Sequence, residues 1–135
     1  GDKSVLSDYE RAPMPVVCLD IQTEMNIQPE GGEEQVEVSI QNNAEKSIIL
    51  GDAMSVNPDT GASTFFDAYS SENVKADTIE VLSQTNQRII YKAEEASGMT
   101  KDAENILYIY MMYDGEEYLL CISQGGCYIT GGNVR

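Results

Sequence analysis

Residues 105–124 read Asn105-Ile106-Leu107-Tyr108-Ile109-Tyr110-Met111-Met112-Tyr113, then Asp114-Gly115, then Glu116-Glu117-Tyr118-Leu119-Leu120-Cys121-Ile122-Ser123-Gln124. Two runs rich in β-formers separated by Asp-Gly predict a β-hairpin, because that dipeptide accepts the left-handed backbone that a two-residue turn demands. The first run is apolar or aromatic on both faces, which predicts a central strand covered on both sides. Gly125-Gly126 then breaks the pattern, and residues 127–135 are expected to be a short added strand or a frayed end.

Working outward, a period of two recurs along the chain and a period of 3.6 hardly appears. Gln35 to Gln41 alternates strictly, with Val36, Val38 and Ile40 inward and Glu37, Ser39 and Gln41 outward. Asn42-Asn43 ends it, and Glu30-Gly31-Gly32-Glu33 before it reads as a turn. Met14 to Thr23 places Val17, Leu19 and Ile21 on one side, and Pro13 and Pro15 suit the start of an edge strand because neither has an amide donor. Ser47–Leu50, Ala53–Val56, Thr78–Ser83 and Arg88–Lys92 are further short strands, with a tight turn at Asn57-Pro58-Asp59-Thr60-Gly61. Ser63–Tyr69 reads equally as strand or helical turn, and Ala93–Asp102 as an exposed connection. About seven to nine short strands with almost no helix predict an all-β antiparallel fold, a two-sheet β-sandwich or a barrel. The expected organisation is a flexible segment over residues 1–13, a sandwich domain over 14–124 and the terminal strand or tail over 125–135.

The chain has 135 residues, 23 of them Asp or Glu and 8 Lys or Arg, for a net charge of −15 with no histidine. Its scattered cations do not form the basic patch that nucleic acid requires, and no run is long enough to insert into a membrane. No basic start followed by an apolar segment appears, and an opening of Gly1-Asp2 leaves room for an export signal or lipid anchor upstream. Cys18, Cys121 and Cys127 match no zinc spacing. Two pairings, Cys18 with Cys121 or Cys121 with Cys127, stay open, as does the free state.

Without histidine the usual base for a serine or cysteine nucleophile is missing, and Cys121 and Cys18 sit in apolar contexts where thiols are inert. A hydrolase working through two opposed carboxylates is the remaining enzymatic alternative, though only Asp20 and Asp67 have somewhat apolar surroundings. The sharpest cofactor candidate is calcium, for which Asp52, Asn57, Asp59 and Asp67 supply hard oxygen ligands around one turn; the bidentate Glu of a calcium loop is missing, and the turn needs no ion to form. Otherwise no cofactor is expected. Eight Tyr against two Phe suggest a binding face at Tyr108, Tyr110 and Tyr118 for a peptide or sugar, with cross-strand packing as the plainer explanation.

The order of an edge strand, then Val36-Glu37-Val38-Ser39-Ile40-Gln41-Asn42-Asn43, a polar loop, short strands and the hairpin about Asp114-Gly115 resembles immunoglobulin-like, telokin-like domains of unknown function. Such domains are carried by secreted proteins and lipoproteins of Gram-positive bacteria, and the resemblance spans residues 14–124. It implies an all-β, immunoglobulin-like antiparallel β-sandwich, a secreted or lipid-anchored location and a binding or accessory role, with no catalytic residues to carry over. The absence of Trp, and of any Cys between Gln35 and Gln41, separates the chain from antibody-type domains. The functional expectation is a non-enzymatic, extracytoplasmic interaction module for a protein or cell-wall glycan ligand. A structural spacer or a calcium-dependent adhesin module is the alternative. Exposed aromatic surface favours binding; a uniformly polar surface favours the spacer. Ligand and oligomeric state are not encoded legibly.

Overall fold

The computed structural model describes residues 19–30, 33–57, 59–93 and 105–131. Within them lie ten strands and no helix: β1 (Ile21–Glu30), β2 (Glu33–Asn42), β3 (Ile48–Val56), β4 (Ser63–Ser70), β5 (Lys75–Ala76), β6 (Ile79–Val81), β7 (Thr85–Ala93), β8 (Leu107–Tyr113), β9 (Glu116–Ser123) and β10 (Gly126–Thr130). The expected N-terminal segment, Cys18 and most of the Ala93–Asp102 connection lie outside the described residues. The all-β, antiparallel class is as expected. Ser63–Tyr69 is a strand, and the two short runs after Ser47 are one strand, β3, interrupted by an irregularity between Leu50 and Ala53.

The strands form one continuous sheet in the order β1-β2-β7-β4-β3-β8-β9-β10, with β5 paired to β4 and β6 to β3. The switch point is β4. Its Ser63–Phe66 half pairs with β3, while Asp67–Ser70 pairs with β7. One strand thus belongs to two groups, and the sheet curls into a barrel-like body instead of separating into two hydrogen-bonded layers. The curl leaves a seam between β1 and β10, where the Cys127 thiol donates to the Ile21 carbonyl at 3.6 Å.

Alternation decides which side chains fill the interior. Ile27, Val36, Val38, Ile40, Ile48, Leu50, Phe66, Ile89, Tyr91, Leu107, Ile109, Leu120 and Ile122 are all at most 1% exposed. Each large apolar side chain so buried stabilises the fold by about 1.5–3 kcal/mol, and a one-residue slip in any strand would turn its whole set outward. Turn chemistry fixes the register. Asp114 (φ 51°) and Gly115 (φ 77°) both take the left-handed conformation, closing β8 on β9 with Tyr113 opposite Glu116. Lys46 Nζ lies 2.6 Å from Asp114 Oδ1 across this end of the molecule.

Asn42, which reads in the sequence as a turn residue, is fully buried and organises the loop that follows β2. Its Nδ2 donates to the Lys46 carbonyl (2.9 Å) and the Val81 carbonyl (3.0 Å), and its Oδ1 accepts the Ala44 amide (2.9 Å). Burial of an amide is tolerated because these bonds replace water.

Candidate docking face

Side chains directly opposite one another on neighbouring strands point to the same face of a sheet. Phe65 faces Met54, Met54 faces Tyr108, Tyr108 faces Cys121 and Cys121 faces Tyr128. This row crosses β4, β3, β8, β9 and β10 on the outer side of the barrel. A second row holds Tyr110 opposite Leu119, and a third Ile49 opposite Met112. The outer side of this half is therefore apolar over five strands. Phe65 is 71% exposed, Tyr110 53%, Tyr128 45% and Met112 41%. The other half differs. Gln22, Gln41 and Asn86 form one outward row and Glu24, Ser39 and Arg88 the next, so the face of β1, β2 and β7 is polar. Four of the six large apolar side chains that stand exposed among the described residues, Phe65, Tyr110, Met112 and Tyr128, thus lie on this face, while Leu119 and Cys121 between them are buried.

The irregularity in β3 shapes the centre of the patch. At Gly51-Asp52 the pairing with β8 shifts register, as in a β-bulge. The Gly51 carbonyl accepts a hydrogen bond from the hydroxyl of buried Tyr91 at 3.1 Å. Beside it opens a groove of about 590 Å³ lined by Ile49, Gly51, Thr78, Tyr110, Met112 and Glu117. Gly51 helps keep it open, since a Cβ there would stand 3.6 Å from Tyr110 Cβ, in ordinary contact.

Glu117 lines the groove, and further carboxylates adjoin its lining residues in sequence or register. Burial, then the charges of Asp67 and Asp77, raise the Asp52 pKa above its ordinary value, against the Ala68 amide that bonds the carboxylate and the charge of Lys75. Asp52 thus sits where β4 leaves β3 for β7, holding an amide at the switch point. Glu80 is opposite Ile49, and Glu117 is opposite Met112. Lys75 Nζ is 3.5 Å from Asp67 Oδ2, and Lys92 Nζ lies 4.4 Å from the Tyr69 ring centre.

The tyrosine set expected from the sequence is divided by the sheet. Tyr108 and Tyr110 share the outer face, but Tyr118 stands opposite Met111 and packs against the core from the inner side. Counting outward from Asp114-Gly115 yields that parity directly. Of the calcium candidates, Asp52 and Asp67 are near enough to repel each other. Asn57 Oδ1 is engaged in its own turn, accepting the Asp59 amide at 2.8 Å and the Thr60 amide at 3.2 Å, and Asp59 is exposed. Among the described residues no three Asp, Glu or Cys side chains gather into a metal-holding group.

Cys121 and Cys127 are both free. Cys121 pairs with Tyr128 on the outer side and Cys127 with Ile122 on the inner side, so the sheet lies between them. Burial pushes the Cys121 thiol up to about 11, opposed by its hydrogen bond with Tyr128, which leaves it un-ionised and poorly nucleophilic at neutral pH. Phe65, Met54, Tyr128 and Met112 carry no distinguishing signal in the sequence. The doublets Phe65-Phe66 and Met111-Met112 hide which member faces outward until register is known. No protein-family model matches this chain, and no curated protein matches it either.

Proposed function

We propose that this chain is a non-enzymatic interaction module that docks a polypeptide partner on the outer face of β4, β3, β8, β9 and β10. The observation carrying the proposal is the in-register outward row Phe65–Met54–Tyr108–Cys121–Tyr128, exposed at Phe65 and Tyr128, half-buried at Met54 and Tyr108 and buried at Cys121, with exposed Tyr110 and Met112 beside it, opposite a polar face on β1, β2 and β7. A spacer gains nothing from such a surface and risks aggregation by keeping it. A polypeptide suits it better than a glycan, because Phe65, Met54, Met112 and Ile49 offer no partners to sugar hydroxyls. Tyr and Met are also the side chains that contact surfaces favour. The sequence resemblance to immunoglobulin-like modules of Gram-positive secreted proteins and lipoproteins supports an extracytoplasmic setting and an accessory role.

A random 12-residue peptide library displayed on phage tests the proposal. Binders selected on the wild-type domain should perturb the amide resonances of β3, β8 and β9, and Tyr110→Ser with Met112→Ser should weaken them at least tenfold while leaving the melting temperature within a few degrees. Selection that yields no binders, or binders that map to β1, β2 and β7, overturns the docking reading.

A further inference from the structure

The groove beside the Gly51 bulge combines two features that choose between occupants. Its walls, Ile49, Tyr110 and Met112, are apolar. Glu117 is in the lining, Glu80 stands opposite Ile49, and Asp52 and Asp77 adjoin the lining residues Gly51 and Thr78 in the chain. Asp52, Asp77 and Glu80 are exposed, and the first two are close enough for the charge of Asp77 to raise the pKa of Asp52. The nearby cation, Lys75, lies 3.5 Å from Asp67 and its charge also reaches Asp52, one positive charge among several carboxylates. Carboxylates held together in this way are eased by an incoming positive charge.

Resting on the docking reading above, we infer that the segment seated on this face is cationic, a Lys or Arg flanked by apolar residues. Its aliphatic stem lies along Met112 and the Tyr110 ring, and its charged head turns to the nearest of the carboxylates Asp52, Asp77, Glu80 and Glu117. Long basic side chains divide in this manner, packing their methylenes on apolar surface while the head stays among polar groups, and an exposed tyrosine ring adds attraction for the cation. A second copy of this chain fits badly. Each copy carries −15, and self-association through this face would set two acidic rims together. Charge also gives the pairing speed, since opposite fields steer encounter and salt suppresses them.

The same phage library provides the test, read now by the composition of the recovered peptides and by three variants. Binders should be enriched in Lys or Arg next to apolar residues. Their affinity should fall about tenfold in Asp77→Lys with Glu80→Lys, and fall again between 50 and 500 mM NaCl. The control Glu24→Lys with Glu45→Lys makes the same change in net charge away from the groove, and should cost less than twofold. Equal losses in both charge variants would show attraction to the net charge alone and overturn the inference. Binders poor in Lys and Arg that are lost in Tyr110→Ser would also overturn it, while leaving the docking reading standing. Absence of any binder on this face would remove the docking reading and the inference together. A dimer in sedimentation that Tyr110→Ser disperses would replace the cationic segment with a second copy.

Discussion

Tyr91→Phe is the sharpest probe of how this architecture holds its candidate site. Tyr91 is fully buried on the inner side of β7, and its hydroxyl donates to the Gly51 carbonyl at 3.1 Å. The substitution removes one oxygen and leaves the ring, so the cavity term is small. What remains is a half-buried carbonyl without that donor, in the irregular stretch between Leu50 and Ala53, on the lining of the groove. Losing such a bond costs about 0.5–1.5 kcal/mol. Taking ~1 kcal/mol, and ~4 °C per kcal/mol for a domain of this size, the melting temperature should drop by roughly 4 °C. Urea unfolding should give the same loss with an unchanged m-value, because the exposed area on unfolding hardly changes.

The alkaline limb supplies a second, independent reading. Burial, and to a lesser degree the Asp52 charge, push the Tyr91 phenol far above its ordinary value of 10.0. The unfolded chain releases this proton near the ordinary value and the folded chain keeps it, so the wild type loses stability as pH rises beyond that point. The substituted side chain has no phenol to titrate. The stability gap between the two proteins should therefore narrow steadily from pH 9 to pH 11. A variant within ~0.3 kcal/mol of wild type at pH 7, or a gap unchanged across the alkaline range, would refute the assignment of Tyr91 as the buttress of the bulge.

Other consequences can be measured on the same preparations. Asn42→Ala removes bonds to Lys46, Val81 and Ala44 at a fully buried position, so unfolding free energy should fall by about 3 kcal/mol in urea titrations. Asp52→Asn keeps an acceptor for the Ala68 amide and deletes the repulsion from Asp67 and Asp77. Since the folded carboxyl binds its proton more tightly than the unfolded one, acid stabilises the wild type at this position. The variant should be the more stable protein at neutral pH and low salt, and thermal melts should show that advantage fading toward pH 3.8, the ordinary value. Cys121, pushed up to about 11, should resist iodoacetamide at pH 8 until denaturant is added, as peptide-resolved mass spectrometry will show. Gly115→Ala forces a Cβ into φ 77°, and should lower stability by about 1 kcal/mol in urea without altering the groove.

Much of the architecture is legible in the sequence because short-range rules act without competition. Val36, Val38 and Ile40 alternate with polar residues and are all at 0% exposure, and Asp114-Gly115 makes the turn its dipeptide demands. Other features depend on partners far away in sequence. Nothing local announces that β4 leaves β3 after Phe66 to join β7, since the switch is defined by the register of three strands. That switch is also what makes the sheet one curled body with a seam. Likewise the Leu50-Gly51-Asp52-Ala53 stretch reads as a break between two strands, whereas the tertiary bond from Tyr91 carries a single strand through it.

The candidate face escapes the sequence for a more instructive reason. A strand apolar on both faces is expected to be covered on both, and among the described residues β8 is fully buried on its inner face alone. Its inner set, Leu107, Ile109 and Met111, lies in the core, while Tyr110 and Met112 stand about half exposed on the outside. Sequence cannot separate these cases, because burial by the chain itself and burial by a partner select the same side chains. The distinction lives in what the rest of the fold brings over the strand. Here the outward rows of β3 and β8 border a groove with Glu117 in its lining and Glu80 opposite Ile49, and among the described residues no second apolar layer covers Tyr110 and Met112. The docking proposal accounts for that pattern: a strand with the composition of a core centre, and with Tyr110 and Met112 exposed, is one whose outer side chains a bound polypeptide would cover.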